Sequence, residues 1–299
     1  MTTGQRRLPR GWPGSGAIAC IVVGLLTIAS ATAIAKGREV DPPQGRIVAI
    51  GFQADSQTLL KAYRGALYRN GISGRDWVPI ALPAAVAHGR IASIAAAANR
   101  KDVLYVAGSA FGVLRSEDGG QSWVARNTGL PSRDVVTLTP HAEAPDTIYA
   151  YVSRKGIFRS EDAGAHWRLM DAGPRERISQ LIHTNMPGSM QTGWFFAATP
   201  SGVDRSMDCF CGWRDAGGLG QRVSAVAYDP HEPKRVYAAT ADALFVSADG
   251  GEQWSRAASP GQAITALVVT PAGLLYAAVG EGELFESVDH GSTWRHVDA

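Results

Sequence analysis

Five arginines hold the clearest positional chemistry in this sequence. Arg46 precedes Ile47, Arg90 precedes Ile91, Arg177 precedes Ile178 and Arg222 precedes Val223, while Arg133 stands two residues before Val135. Gln262 takes the corresponding place, two before Ile264. Each heads an alternating apolar run. A guanidinium keeps its charge at any ordinary pH and presents a planar fork of donors, so several brought to one opening repel one another until an anion or acceptor-rich partner enters. Such an opening would read an unknown protein partner or an anionic or glycan ligand. In the plainer reading each Arg is solvated, stacks on a neighbouring strand, or pairs with Asp134 or Glu176 close by.

Carboxylates offer a second chemistry. Asp242, Glu281 and Glu283 fall in late loops, opposite in sign to Arg64, Arg154 and Lys155 in earlier ones. Two carboxylates across a cleft are what glycoside hydrolysis needs, and Asp242 and Glu281 are the weak catalytic candidates here, since acidic loop tips are common. Cys209 and Cys211 either close a small bridge or stay reduced; without a nearby His or further Cys they complete no zinc site. No metal site and no cofactor is implied.

These groups need a scaffold, and a repeated octet supplies it. Ser116-Glu117-Asp118-Gly119-Gly120-Gln121-Ser122-Trp123 returns with Ser160, Asp162, Gly164 and Trp167, with Ser247, Asp249, Gly251 and Trp254, and with Ser287, Asp289, Gly291 and Trp294. Two copies are degenerate: Ser206, Asp208 and Trp213 enclose Phe210 where the turn Gly belongs, and Asn70 to Trp77 retains only Gly74 and the Trp. An Asp at the third position can accept backbone N–H groups across a tight turn, and the Gly two residues on tolerates φ > 0. The Trp that follows has a large apolar body to bury and is expected to open the next strand. The octet Asp residues are therefore read as structural.

The six tryptophans, Trp77 to Trp294, are separated by 46, 44, 46, 41 and 40 residues, the period of one four-stranded propeller blade. Blades are expected near 46–83, 89–126, 133–170, 176–215, 221–257 and 262–299. Second strands align as Val103 to Ala107, Thr147 to Tyr151, Trp194 to Ala198, Arg235 to Ala239 and Leu274 to Ala278, with Thr58 to Tyr63 a looser first copy. No strand is left over to clasp the first blade to the last, so the ring is sealed by face packing of these two blades or by the preceding segment pairing with an edge.

The octet resembles the Asp-box, or BNR repeat, of sialidases and related propellers. That resemblance covers roughly 46–299 and implies an all-β, six-bladed propeller, with the boxes joining third and fourth strands away from the ligand face. Sialidase hallmarks are missing, because Arg46-Ile47-Val48 stands where Arg-Ile-Pro would and no Tyr and Glu nucleophile system is found. Xyloglucanase-type enzymes use two such propellers around a cleft, and this chain has one. In type it is similar to the single-domain, exported Asp-box propellers typified by the photosystem II assembly factor, which bind partners through the propeller face. The resemblance thus implies a non-enzymatic binding or assembly module, with a sialidase-like or xyloglucanase-like glycoside hydrolase as the alternative.

Composition narrows the setting. The chain has 299 residues, 45% hydrophobic and 19% charged, with 34 Gly, which suits a Gly-punctuated all-β globule. Three of its 29 basic residues, Arg6, Arg7 and Arg10, lie in the basic segment 1–15, so the remainder is near neutral against 27 acids and no nucleic-acid partner is indicated. Residues 16–35 carry no charge. They read either as a membrane anchor with the Arg flank in the cytoplasm or as a signal peptide cleaved near Ala35, and both place the propeller outside the cytoplasm. Only four apolar residues precede Cys20, which makes it a poor lipoprotein site. Residues 36–45 read as a linker.

Overall fold

The computed structural model describes Met1 and residues 45–70, 76–189, 193–207, 209–210 and 212–297. The expectations for 1–15, 16–35 and most of 36–45, and those for Gly74, Asp208 and Cys211, lie outside these residues. Among the described residues no helix is long and apolar enough to cross a membrane.

Among the described residues, twenty-four strands form six antiparallel four-stranded sheets, each a plain meander in chain order. This is a six-bladed β-propeller. The inner strands are Ala49–Gln53, Arg90–Ala96, Val135–Pro140, Gln180–Thr184, Ala225–Tyr228 and Ile264–Val269. Second strands alternate large and small buried residues, such as Tyr105 beside Ala107 and Tyr237 beside Ala238, and this lets adjacent wedges interlock. The octets follow the third strands, Gly112–Ser116 in the second blade for example. One element was not read from the sequence: a 3₁₀ turn, Ala84–His88, entered through Pro83, which tucks Val86 into the core between the first two blades.

Outer strands were expected to begin at the Trp. Only Trp77–Ile80 does; the other five begin one residue later, as in Val124–Ala125 and Arg168–Asp171. The reason lies in where the Trp polar groups point. Trp167 sends its backbone N–H to Thr128 O and its indole N–H to Arg126 O, both belonging to the preceding blade. Trp123, Trp254 and Trp294 likewise donate their indole N–H to Ala81, Ala216 and Ala258 carbonyls. The octet Trp is a clasp between blades. Trp77 and Trp167 are buried, whereas Trp123, Trp213, Trp254 and Trp294 are half-buried.

Among the described residues, ring closure uses no shared strand. Ile47, Ile50, Leu59 and Tyr63 of the first blade pack with Ala266, Ala278 and Leu284 of the sixth in one buried cluster. Thr265 Oγ1 donates to Ile47 O at 2.8 Å, and Gly45 N–H reaches Glu281 O at 3.1 Å. Ser179 and Ser224, in the same register as Thr265, donate to Val223 O and Ile264 O of the following blades. The seam between the first and last blades is thus made with the same hydroxyl bridge as two internal seams.

Candidate functional site

The arginine register is set by its neighbours. Ile47, Ile91, Val135, Ile178 and Val223 are each buried between blades. With those residues anchored, Arg46, Arg90, Arg133, Arg177 and Arg222 stand exposed where the chain enters or approaches each inner strand. None of the five forms an ion pair among the described residues. The nearby acids are occupied otherwise or merely close in sequence: Glu176 accepts the Ser201 N–H at 3.1 Å.

Two of the five share a cavity. Arg177 and Arg222 line a space of about 400 Å³ with Thr199 and Pro200, backed by Ala92 and Val136 of the second and third blades. Arg46, Arg90 and Arg133 do not line it. Thr199 and Pro200 went unmarked in the sequence because the turn between second and third strands of the fourth blade carries no charge at its tip. Ala92 and Ser179 also line the central channel, a space of about 200 Å³ to which all six blades contribute. At the far end the channel opens into a third cavity of about 390 Å³.

The weak catalytic candidates lie apart from these spaces. Asp242 is exposed; its carboxylate accepts the Thr240 hydroxyl at 3.1 Å and its carbonyl accepts from Arg256. Glu281 is exposed, and its carbonyl takes the Gly45 N–H. Neither lines any of the three cavities. Glu283 accepts from Gln262 Nε2 at 2.6 Å, which ties down the side chain that replaces Arg in the sixth blade.

The octet carboxylates spend their oxygens on their own turns. Asp118 Oδ1 accepts the N–H groups of Gln121 and Ser122, each at 2.9 Å, while Ser116 Oγ donates to that oxygen and accepts the Gly120 N–H. Asp162, Asp249 and Asp289 repeat the pattern with Ser160 and Gly164, Ser247 and Gly251, and Ser287 and Gly291. These accepted bonds hold Asp118, Asp162 and Asp249 below the ordinary carboxylate range and Asp289 at about 2. Gly119 and Gly250 donate to Asp102 and Lys234, which lie in turns after inner strands. The octets therefore sit at the end of the propeller opposite the arginines.

No protein-family profile matches the chain, and no curated protein matches it. Solved structures do. The chain superposes on the GH74 xyloglucanase from Xanthomonas campestris with a TM-score of 0.63 at 18% identity, over 84% of this chain and 45% of that one. YCF48 from Cyanidioschyzon merolae gives 0.58 at 20% identity over 86% and 87%, and a structure of YCF48 bound to D1 peptide gives 0.57 at 19% over 85% and 83%. The chain shares their propeller fold. It spans 31% to 47% of the length of the GH74 enzymes it matches.

Chemically, the arginine end offers fixed positive charge above a narrow channel, with backbone and hydroxyl groups behind it. Nothing in the three cavities brings two carboxylates together.

Proposed function

We propose that this chain is a non-enzymatic binding module, held outside the cytoplasm, whose arginine-lined mouth takes an acidic segment of a protein partner. One observation carries the reading: Arg177 and Arg222 are exposed, have no ion-pair partner among the described residues, and line one cavity. The fold shared with YCF48 over most of both chains supports it, as does the fact that one of those structures holds a peptide.

A fluorescein-labelled Glu-rich peptide is the probe. Its binding weakens as salt rises, because exposed charges are screened over about 10 Å at 0.1 M. The double substitution Arg177→Ala, Arg222→Ala lowers affinity about tenfold or more, equivalent to about 1.4 kcal/mol, with the melting temperature nearly unchanged. Equal affinity for parent and double variant overturns the reading. The alternative, a glycoside hydrolase using Asp242 and Glu281, draws on the fold shared with GH74 enzymes; turnover of xyloglucan or nitrophenyl glycosides that is lost in Glu281→Gln would establish it instead.

A further inference from the structure

The arginine end carries charge well beyond the cavity of Arg177 and Arg222. Arg64 and the pair Arg154 and Lys155 sit in turns between second and third strands, and backbone bonds place them beside the entrance arginines. Ile91 N–H donates to Arg64 O at 2.8 Å, and Ser153 N–H donates to Asp134 O at 2.9 Å. Arg64 thus neighbours Arg90, while Arg154 and Lys155 neighbour Arg133. All five side chains are exposed, and none forms an ion pair among the described residues. Among the described residues, the turns of this end between Tyr63 and Lys155 hold a single acid, Asp134.

The opposite end of the same blades is neutralised, because Arg100, Arg115 and Arg159 pair there with Asp146, Glu117 and Glu161. The unpaired positive field therefore leaves these blades through one end. It is not gathered around a pocket. Arg64, Arg90, Arg133, Arg154 and Lys155 line none of the three cavities and stand on turn tips spread over three neighbouring blades. What such tips meet is an extended anionic surface and not a small ion. The 3₁₀ turn that precedes Arg90 adds an uncharged tip: Ala84, Ala85 and Ala87 are exposed, while Val86 pins the turn to the core. Cations around a small apolar tip suit the interfacial layer of a bilayer.

The chain itself enters the propeller at this end, where Gly45 N–H reaches Glu281 O. The uncharged stretch 16–35 stops ten residues before Gly45. An anchor in that stretch would tether the propeller by its cationic end and not by its octets.

We propose that the cationic turns of the first three blades dock on an anionic membrane surface, through the phosphate groups of its lipids. This surface is separate from the cavity of Arg177 and Arg222. Each cation held there strengthens attachment about fivefold, and salt screens the attraction. Lysine footprinting tests it, because Lys155 lies on the docking side whereas Lys101 and Lys234 are exposed in turns at the octet end and serve as references. The full-length protein is mixed with vesicles of phosphatidylcholine, or of phosphatidylcholine and phosphatidylglycerol in equal parts, and treated with a water-soluble acetylating reagent. On the anionic vesicles acetylation of Lys155 falls severalfold, Lys101 and Lys234 react as they do on neutral ones, and high salt restores Lys155. Arg64→Glu with Arg90→Glu and Arg154→Glu abolishes the protection with the melting temperature nearly unchanged; should that variant not fold, the lipid and salt dependence of the parent decides. Equal Lys155 reactivity on both vesicles, protection of all three lysines alike, or protection that persists in the folded variant would overturn the proposal. Protection of Lys155 by the Glu-rich peptide with none from anionic vesicles would overturn it as well, and would assign these cations to the acidic segment.

Discussion

In the second blade the turn after the third strand is tied by Ser116 and Asp118, passes through Gly119 and Gly120 at φ of 68° and 91°, and delivers Trp123 to a carbonyl of the first blade. In the fourth blade Ser206 donates, among the described residues, to the neighbouring Met207 carbonyl, and Phe210 N–H reaches that same oxygen. Phe210 itself takes φ 54°, a conformation that Gly adopts without cost. Its ring compensates by stacking on Phe195 at 4.8 Å, within a column that continues to Tyr149 and Trp213. Cys209 adds a disulfide whose partner lies outside the described residues. Trp213 still clasps the preceding blade, but through the Asp171 carboxylate at 2.7 Å where Trp123, Trp167, Trp254 and Trp294 use a backbone carbonyl. Two requirements survive the loss of the motif: a left-handed residue in the turn, and an indole N–H passed to the neighbour.

If the indole clasp is the shared requirement, removing it where it is most buried has the largest effect. Trp167 is 5% exposed, and Trp167→Ala should cost about 3–5 kcal/mol in chemical denaturation. The half-buried Trp123 should cost about half as much, and equal losses would show that burial does not grade the clasps. Next comes the compensating ring. Phe210→Ala should cost about 3 kcal/mol, and Phe210→Gly about 1 kcal/mol less because the left-handed strain is relieved. A Phe210→Gly variant as stable as the parent would mean the stack contributes no more than the strain it offsets, about 1 kcal/mol.

The intact turns can be broken in the opposite sense. A Cβ on Gly120 would meet Ile80 Cγ2 at 2.4 Å at a positive φ, so Gly120→Ala should cost about 2 kcal/mol where the fourth blade tolerates a full Phe. Acid provides the mildest test. Asp289 is held at about 2 against an ordinary 3.8, so its contribution is complete above the unfolded value and is lost as pH falls through the folded one. Stability should therefore decline between about pH 4 and pH 2, and Asp289→Asn should flatten that slope; an unchanged slope would remove the carboxylate from the account.

Much of this was legible beforehand because it is periodic. The Trp spacing and the Tyr/Ala second strands report one blade per repeat, and the apolar residue that follows each Arg is the one buried where the chain enters the inner strand. What could not be read depends on relations between blades. Nothing local to Arg177 or Arg222 says that they share a cavity while Arg46 and Arg90 do not, since that depends on how the Thr199–Pro200 turn folds over the mouth. The bridging roles of Ser179, Ser224 and Thr265 were invisible for the same reason: a hydroxyl in an inner strand reveals its acceptor only once the next blade is beside it.

The bridge from Thr265 to Ile47 spans 218 residues of chain, whereas those from Ser179 and Ser224 span 44 and 40. During synthesis, internal seams can shut as soon as the next blade emerges, but the first blade must wait for the last. Until then the face carrying Ile47, Ile50 and Leu59 stays open to water and to other nascent chains. A ribosome that stops before residue 262 would release a protein with two sticky ends, so the hazard in making this ring is concentrated in its final 38 residues.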